Sequence, residues 1–293
     1  MIKRINLHVA RSNFIYIADD NLAVDRNSTR YQKFSDRSLS DRSITEADVV
    51  FPLKLEHARL DRNCSWSDCL VTGEIWELWL DENKNFVFYN PKQPLLRQVV
   101  ISPDFSGGVI RGDFLDSNEN DIPILPLTLE LAVFVNLLAG YGDALLHASG
   151  VSFEGNGYVF IGNSGVGKST LASTLSKIPG ITVLGEDQVV LRYLNGQFWV
   201  FGSPWHTNLD MCSPQGVPLK KIFHLIRNGE DGVRSLSMAE GVVSLLSTAF
   251  VPYYRPSVVE LILERFTQVA QSVDMYSFKY QLGTDVWGLI QSY

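Results

Sequence analysis

Cysteine is scarce in this chain: three residues in 293, Cys64, Cys69 and Cys212. Three thiols cannot build the disulfide framework of a small secreted domain, so a reducing cytoplasm is the expected compartment. Cys64 and Cys69 share the stretch CSWSDC. Its spacing is too loose for a zinc knuckle and no second ligand pair follows, so both read as free thiols. Basic charge is also short. Lys and Arg number 25 against 32 Asp and Glu, a net charge of −7, which argues against general nucleic-acid binding. No uncharged apolar run is long enough to cross a bilayer. The opening MIKRINLHVARSNFIYIADD is broken by charge too often to read as a secretory signal. Internal repeats and low-complexity tracts are absent. What remains is a globular composition, 45% hydrophobic and 19% charged, in a length that suits one large domain or two ordinary ones.

Alternation of apolar and polar residues predicts strands in INLHV and NFIYIA near the start, and again in EIWELWL, NFVFYN and RQVVIS. Between these groups, Asp25 to Asp48 is polar and reads as a long exposed loop. LDSNENDIPILP is turn-rich and reads as a linker. After it, LTLELAVFVNLLAGYG carries helical periodicity and stops at glycine. ALLHASGVSF reads as one strand, EGNG as a tight turn and YVFIG as the next strand. KSTLASTLSKI, MAEGVVSLLSTAF, SVVELILERFTQVAQSV and TDVWGLIQS read as helices. ITVLGEDQVVLRYL, KIFHLIR and MYSFKYQL read as strands. Two domains are expected, residues 1–122 mainly β and residues 123–293 α/β.

One stretch carries specific chemistry. GNSGVGKS, Gly162 to Ser169, satisfies G-x-x-x-x-G-K-[ST] in full, with a predicted strand before it and a predicted helix after it. Glycine lets the backbone curl so that successive N–H groups face a phosphate. The following helix offers free N–H groups and the positive end of its dipole to the same anion. The nucleotide-binding set is then Gly162, Asn163, Ser164, Gly165, Val166, Gly167, Lys168, Ser169 and Thr170. Lys168 would reach the outer phosphates. The Ser169 hydroxyl would ligate Mg²⁺, with Thr170 in support.

Such a loop needs a carboxylate near the metal. Glu186 and Asp187, in VLGEDQVV, follow the loop helix. On a regular strand only one of them would face the site; at a strand end, or with a bend at Gly185, both could serve. Two carboxylates at one site raise one pKa, which suits a general base. His147 lies just before the hairpin that leads to the loop. Pairing across EGNG would bring it near, either to orient an acid or as a core histidine. FGSPWHTNLD, Phe201 to Asp210, reads as a loop that either lines a cleft or plugs the core. Arg227, Arg255 and Lys220–Lys221 are candidate phosphate contacts.

Taken together, LLHASGV, a turn, YVFIGNSGVGKST and then LGEDQVVL resemble the kinase domain of HPr kinase/phosphorylase and its relatives, including kinases of lasso-peptide clusters. GSPWHTNLD is similar to the G-T-P-W loop of that group, and FKYQLGTDVWGLI to its closing strand and helix. The likeness runs from about Leu127 to the C-terminus. It implies the compact α/β P-loop kinase domain shared with phosphoenolpyruvate carboxykinases, preceded here by a mainly β domain that would recognise substrate. It implies ATP and Mg²⁺ as cofactors and a serine hydroxyl of a peptide or protein as acceptor. His147, Lys168, Glu186 and Asp187 would be catalytic, with Glu186 as base and Ser169 and Asp187 at the metal. The first acid of the pair is Glu where the group has Asp, and the second signature of true HPr kinases, EIRGLGIIDV, is missing. HPr as acceptor and the reverse phosphorylase reaction are therefore not implied. A small-molecule kinase, acting for instance on free serine, and a nucleotide-binding sensor without transfer are the competing readings. No nucleic-acid or membrane partner is expected, and homo-oligomerisation is left open.

Overall fold

The computed structural model describes residues 2–19, 22, 29–34, 49–58, 60, 66–91, 97–114, 124–206, 209–227, 232–280 and 285–293. They form two compact units, Met1–Leu137 and Leu138–Tyr293. The boundary expected after residue 122, and most of the expected linker, fall outside the described residues; Ile124 and Leu125 at its end are buried.

The first unit is an eight-stranded sheet. Its strands are β1 (Ile2–Val9), β2 (Ser12–Asp19), β3 (Val49–His57), β4 (Asp68–Val71), β5 (Glu77–Leu80), β6 (Phe86–Tyr89), β7 (Arg97–Ile101) and β8 (Gly108–Gly112), in the order β1-β2-β3-β8-β7-β6-β5-β4. Period-2 burial explains it: Phe14, Tyr16 and Ala18 of β2 and Phe51, Leu53 and Leu55 of β3 are all buried. A short helix α1 (Thr29–Phe34) lies where a loop was expected. Phe34 is buried and ties it down; the rest of Asp25–Asp48 is outside the described residues. Helix α2 (Leu127–Ala139) sets Phe134 against Phe14, ring centroids 5.4 Å apart.

The second unit curls a nine-stranded sheet. Its strands are β9 (Ala144–His147), β10 (Ser149–Phe153), β11 (Asn156–Ile161), β12 (Ile181–Gly185), β13 (Gln188–Leu194), β14 (Gln197–Gly202), β15 (Gly216–Leu225), β16 (Gly232–Ser235) and β17 (Asp274–Lys279). The main path is β12-β10-β11-β15-β14-β13-β9, with β17 beside β15 and β16 beside β17. ALLHASGVSF is two strands rather than one. Only Ala148 separates β9 from β10, yet β9 ends the path and β10 is next to its other end, so the sheet must fold back on itself. The hairpin from β10 to β11 turns through Glu154 (φ 48°) and Gly155 (φ 74°), both left-handed, as a two-residue loop requires.

Strands β11, β15 and β17 run parallel. Alternate side chains feed two cores. Val159, Ile161 and Ile222 join Val258, Ile262, Phe266 and Val269 of helix α5 (Pro256–Ser272) and Leu245 of helix α4 (Met238–Leu246). Tyr158, Phe160 and Phe223 join Leu171, Ala172 and Leu175 of helix α3 (Lys168–Leu175) and Trp287 and Ile290 of helix α6 (Val286–Gln291). Each such aromatic or aliphatic side chain contributes about 1.5–3 kcal/mol by leaving water. That burial anchors the strand ends from which the site is built.

Candidate functional site

In an open parallel sheet, ligands bind beyond the carboxyl ends of the strands. Three such ends meet here: the loop after β11, Arg227 after β15 and Tyr280 after β17. Between β11 and α3 the backbone is left-handed at Gly162 (φ 141°), Gly165 (φ 73°) and Gly167 (φ 112°), which only glycine adopts cheaply. Helix α3 begins at Lys168 with no side-chain cap, so its first N–H groups remain available to a ligand. Ser169 and Thr170 are exposed on that first turn. Lys168 is only 5% exposed. Its ammonium donates to the carbonyls of Gly162 (2.8 Å) and Asn163 (3.3 Å). Burial lowers its pKa, and Asp187 partly opposes the shift.

Two side chains pin the loop from outside. The Arg227 guanidinium donates to the Gly165 carbonyl, and the Tyr280 hydroxyl donates to the Gly167 carbonyl at 3.1 Å. Holding those carbonyls fixes the peptide planes, because each peptide unit is rigid.

Glu186 and Asp187 are the whole connection between β12 and β13. Two bonds hold its backbone: Ser149 Oγ to the Glu186 carbonyl, 2.6 Å, and Ala148 N–H to the Asp187 carbonyl, 3.0 Å. His147 arrives by a route other than the expected one. Pairing across EGNG carries β10, whereas His147 ends β9 and sits opposite Gln188 of β13. The switch occurs at Ala148, since the His147 N–H turns to the Thr248 carbonyl, 2.7 Å away. His147 Nδ1 then lies 3.1 Å from Asp187 Oδ1.

The two acids titrate in opposite directions. The hydrogen bond from His147 holds Asp187 below the usual carboxylate range, with the charges of His147, His206 and Lys168 adding to it against burial. Burial pushes Glu186 up, and the neighbouring Asp187 charge pushes it further. Lys168, Asp187 and His147 thus share one electrostatic site, with Glu186 at its side.

His206, Arg227 and Tyr280 complete the surroundings. Of these, Arg227 stood among the candidate phosphate contacts and His206 in the stretch expected either to line a cleft or to plug the core. His206 is buried in the Phe201–Asp210 stretch beside the equally buried Trp205. A Cβ on Gly185 would fall 2.9 Å from its ring, so glycine just before the acids is what lets the ring close in. Thr207 and Asn208 of that stretch are outside the described residues. Lys220 and Lys221 do not reach the loop; Lys221 pairs with Asp274 at the start of β17, toward the other end of the parallel strands. Arg255 stands at the N-terminus of α5. Cys69 is exposed and Cys212 buried, while Cys64 is outside the described residues.

Among the described residues, no three His, Cys, Asp or Glu side chains converge to hold a metal. Mg²⁺ does not require such a cage, because it takes one or two carboxylates and completes its shell with phosphate and water. The Asp187 carboxylate and the Ser169 hydroxyl are donors of that kind. No described helix is long and apolar enough to cross a membrane.

No protein-family model matches the chain, and no curated protein matches it. Among solved structures, the HPr(Ser) kinase/phosphatase from Coxiella burnetii is similar over 50% of this chain and 86% of its own, at 14% identity and a TM-score of 0.28.

Proposed function

We propose that this chain is an ATP-dependent kinase that phosphorylates a serine hydroxyl of a peptide or protein, on a P-loop domain of the HPr kinase type. One observation carries the reading. A loop with three left-handed glycines leads into the buried Lys168, and Asp187, with His147 Nδ1 3.1 Å from its carboxylate, shares that lysine's electrostatic site.

Each group then has a task. The loop amides and Lys168 hold the triphosphate, and Arg227 stands over the same loop. The serine oxygen attacks the γ-phosphorus, the bond from that phosphorus to the bridging oxygen breaks, and ADP leaves with the electron pair. The serine proton passes to a carboxylate. Environments that push two neighbouring acids apart assign their roles. Glu186, held up by burial, is the better base; Asp187, held down by His147, stays ionised. Asp187 and Ser169 would hold Mg²⁺, which would supply charge neutralisation. His147 positions Asp187. Phosphoryl transfer is mostly positioning and electrostatics, so these few groups suffice.

Transfer of labelled γ-phosphate to serine peptides, compared with free amino acids, tests the acceptor class. Glu186→Gln is expected to cut transfer by roughly a hundredfold while leaving MgATP binding intact. Equal loss of binding and transfer would make Glu186 a metal or structural group instead. Lys168→Ala is expected to weaken MgATP binding by about a hundredfold or more. Calorimetry showing unchanged affinity would end the phosphate reading, and ATP binding without any phosphorylated product would leave a sensor.

A further inference from the structure

One polar atom beside the acids is left over. The side-chain oxygen of Gln188, the first residue of β13, is shielded from solvent and has no hydrogen-bond partner among the described residues. Roughly nine in ten buried polar groups have one, because a missing bond forfeits the group's hydration without return. Nearby donors are committed elsewhere. The Ser203 hydroxyl donates to the Gln188 main-chain carbonyl at 3.2 Å, the Ser149 hydroxyl donates to the Glu186 carbonyl, and His147 Nδ1 pairs with Asp187. An orphan acceptor costs stability, so its presence here calls for a reason.

Strand register supplies that reason. Gln188 stands directly opposite His147, and opposed residues of an antiparallel pair send their side chains to the same face. The His147 N–H bonds to the Thr248 carbonyl and the Gln188 carbonyl accepts from Ser203, both away from the seam between β9 and β13. The pair is therefore of the non-hydrogen-bonded kind, in which side chains lie closest. The Gln188 amide thus stands beside the ring that holds Asp187, in the strand that starts right after the acids. His147 and Asp187 are themselves 33% and 46% exposed, so a substrate can reach this face.

A carbonyl oxygen takes a donor. In the reading above the serine hydroxyl gives its proton to Glu186, which leaves the backbone N–H groups of the acceptor. We infer that Gln188 binds a backbone N–H of the acceptor peptide, at or next to the serine, and so selects against acceptors that lack it. The inference rests on the peptide-kinase reading and adds the group that grips the acceptor's main chain.

Steady-state transfer by the full chain is measured with the best acceptor from a library of capped serine pentapeptides, and with copies N-methylated at the serine or at either neighbour. For wild type, one methylated copy is expected to lose about tenfold in kcat/KM. Gln188→Met keeps the length and drops the amide. It is expected to lose about tenfold on the parent peptide, chiefly in KM, to keep MgATP affinity within about twofold, and to lose nothing further on that copy. It should also melt no lower than wild type, since it removes an unpaired buried oxygen; an amide needed for the fold would make it melt about 3 °C or more lower. Four outcomes would each overturn the assignment and leave the kinase reading standing: no N-methyl effect in wild type, the same N-methyl loss in Gln188→Met, unchanged kcat/KM on the parent, or the lower melting temperature. Wild type that binds MgATP and phosphorylates no peptide of the library would overturn the peptide-kinase reading itself.

Discussion

The two units bury charge in different ways. In Met1–Leu137 the buried ions are absorbed by structure. Glu130 accepts from the Tyr16 hydroxyl at 2.6 Å. Arg97 donates to the Ile124 carbonyl and lies 4.3 Å over the Phe114 ring, and burial brings its pKa down to about 10. Among the described residues of Leu138–Tyr293, Asp143 and Arg192 form such a locked pair, 2.7 Å apart and almost fully buried. That unit also buries Lys168, whose bonded partners are two carbonyls. Carbonyl dipoles satisfy an ammonium without cancelling its charge, so the charge remains available to an anion. Backbone geometry repeats the contrast. Among the described residues the first unit uses ordinary side chains in the left-handed region, at Ala10, Arg11, Lys84 and Phe105; the second does so at the turn residues Glu154 and Asn195, but between Gly162 and Gly167 its three left-handed positions are all glycine. An isolated turn tolerates a Cβ at some strain; a run of three left-handed positions within six residues is adopted cheaply only by glycine.

Substitutions can break this comparison, and the locked pair should respond most. Asp143→Asn leaves Arg192 charged and buried, so urea unfolding is expected to show a loss of about 3–5 kcal/mol. Burial already outweighs Arg192 and raises the Asp143 pKa; a loss under about 1 kcal/mol would mean that the pair is not held as an ion pair. Gly167→Ala comes next. Its backbone is strained for any side chain, and the new Cβ would lie 3.1 Å from the Tyr280 hydroxyl. A strain of about 1–3 kcal/mol predicts roughly tenfold weaker MgATP binding, and full affinity would show that the loop need not keep this shape. Lys84→Gly in the first unit is the smallest. Relief of the left-handed strain (φ 62°) is nearly offset by the freedom glycine adds to the unfolded chain. The melting temperature should move by less than about 2 °C; a larger shift would make that turn as exacting as the loop.

Much of this was readable from local pattern. The glycine loop, its strand and its helix were visible because each depends on residues within a few positions of one another. The acid pair was legible, but local pattern left open whether one strand runs through it or two meet at it; the structure ends β12 at Gly185 and starts β13 at Gln188. The break at Ala148 was not legible, because ALLHASGVSF contains no proline, Asp, Glu, Lys or Arg to mark it, and the pull of Thr248 and Asp187 on its backbone divides it. His206 stood in a stretch that local pattern left open between a cleft and the core, and Tyr280 was missed for a related reason: it carries no local signal that separates it from an ordinary strand-end residue. Phe34 could have revealed α1, as a buried aromatic inside a polar tract.

By itself the amino-acid order determined the glycine loop between a strand and a helix, and the neighbouring carboxylates of Glu186 and Asp187, because turn chemistry and side-chain periodicity act over short stretches of chain. Only the tertiary structure decided which groups surround that loop. His147 meets Asp187 through pairing of β9 with β13, Arg227 and Tyr280 come from the ends of strands 60 and more residues further on, and no short-range rule specifies a pairing between segments so far apart.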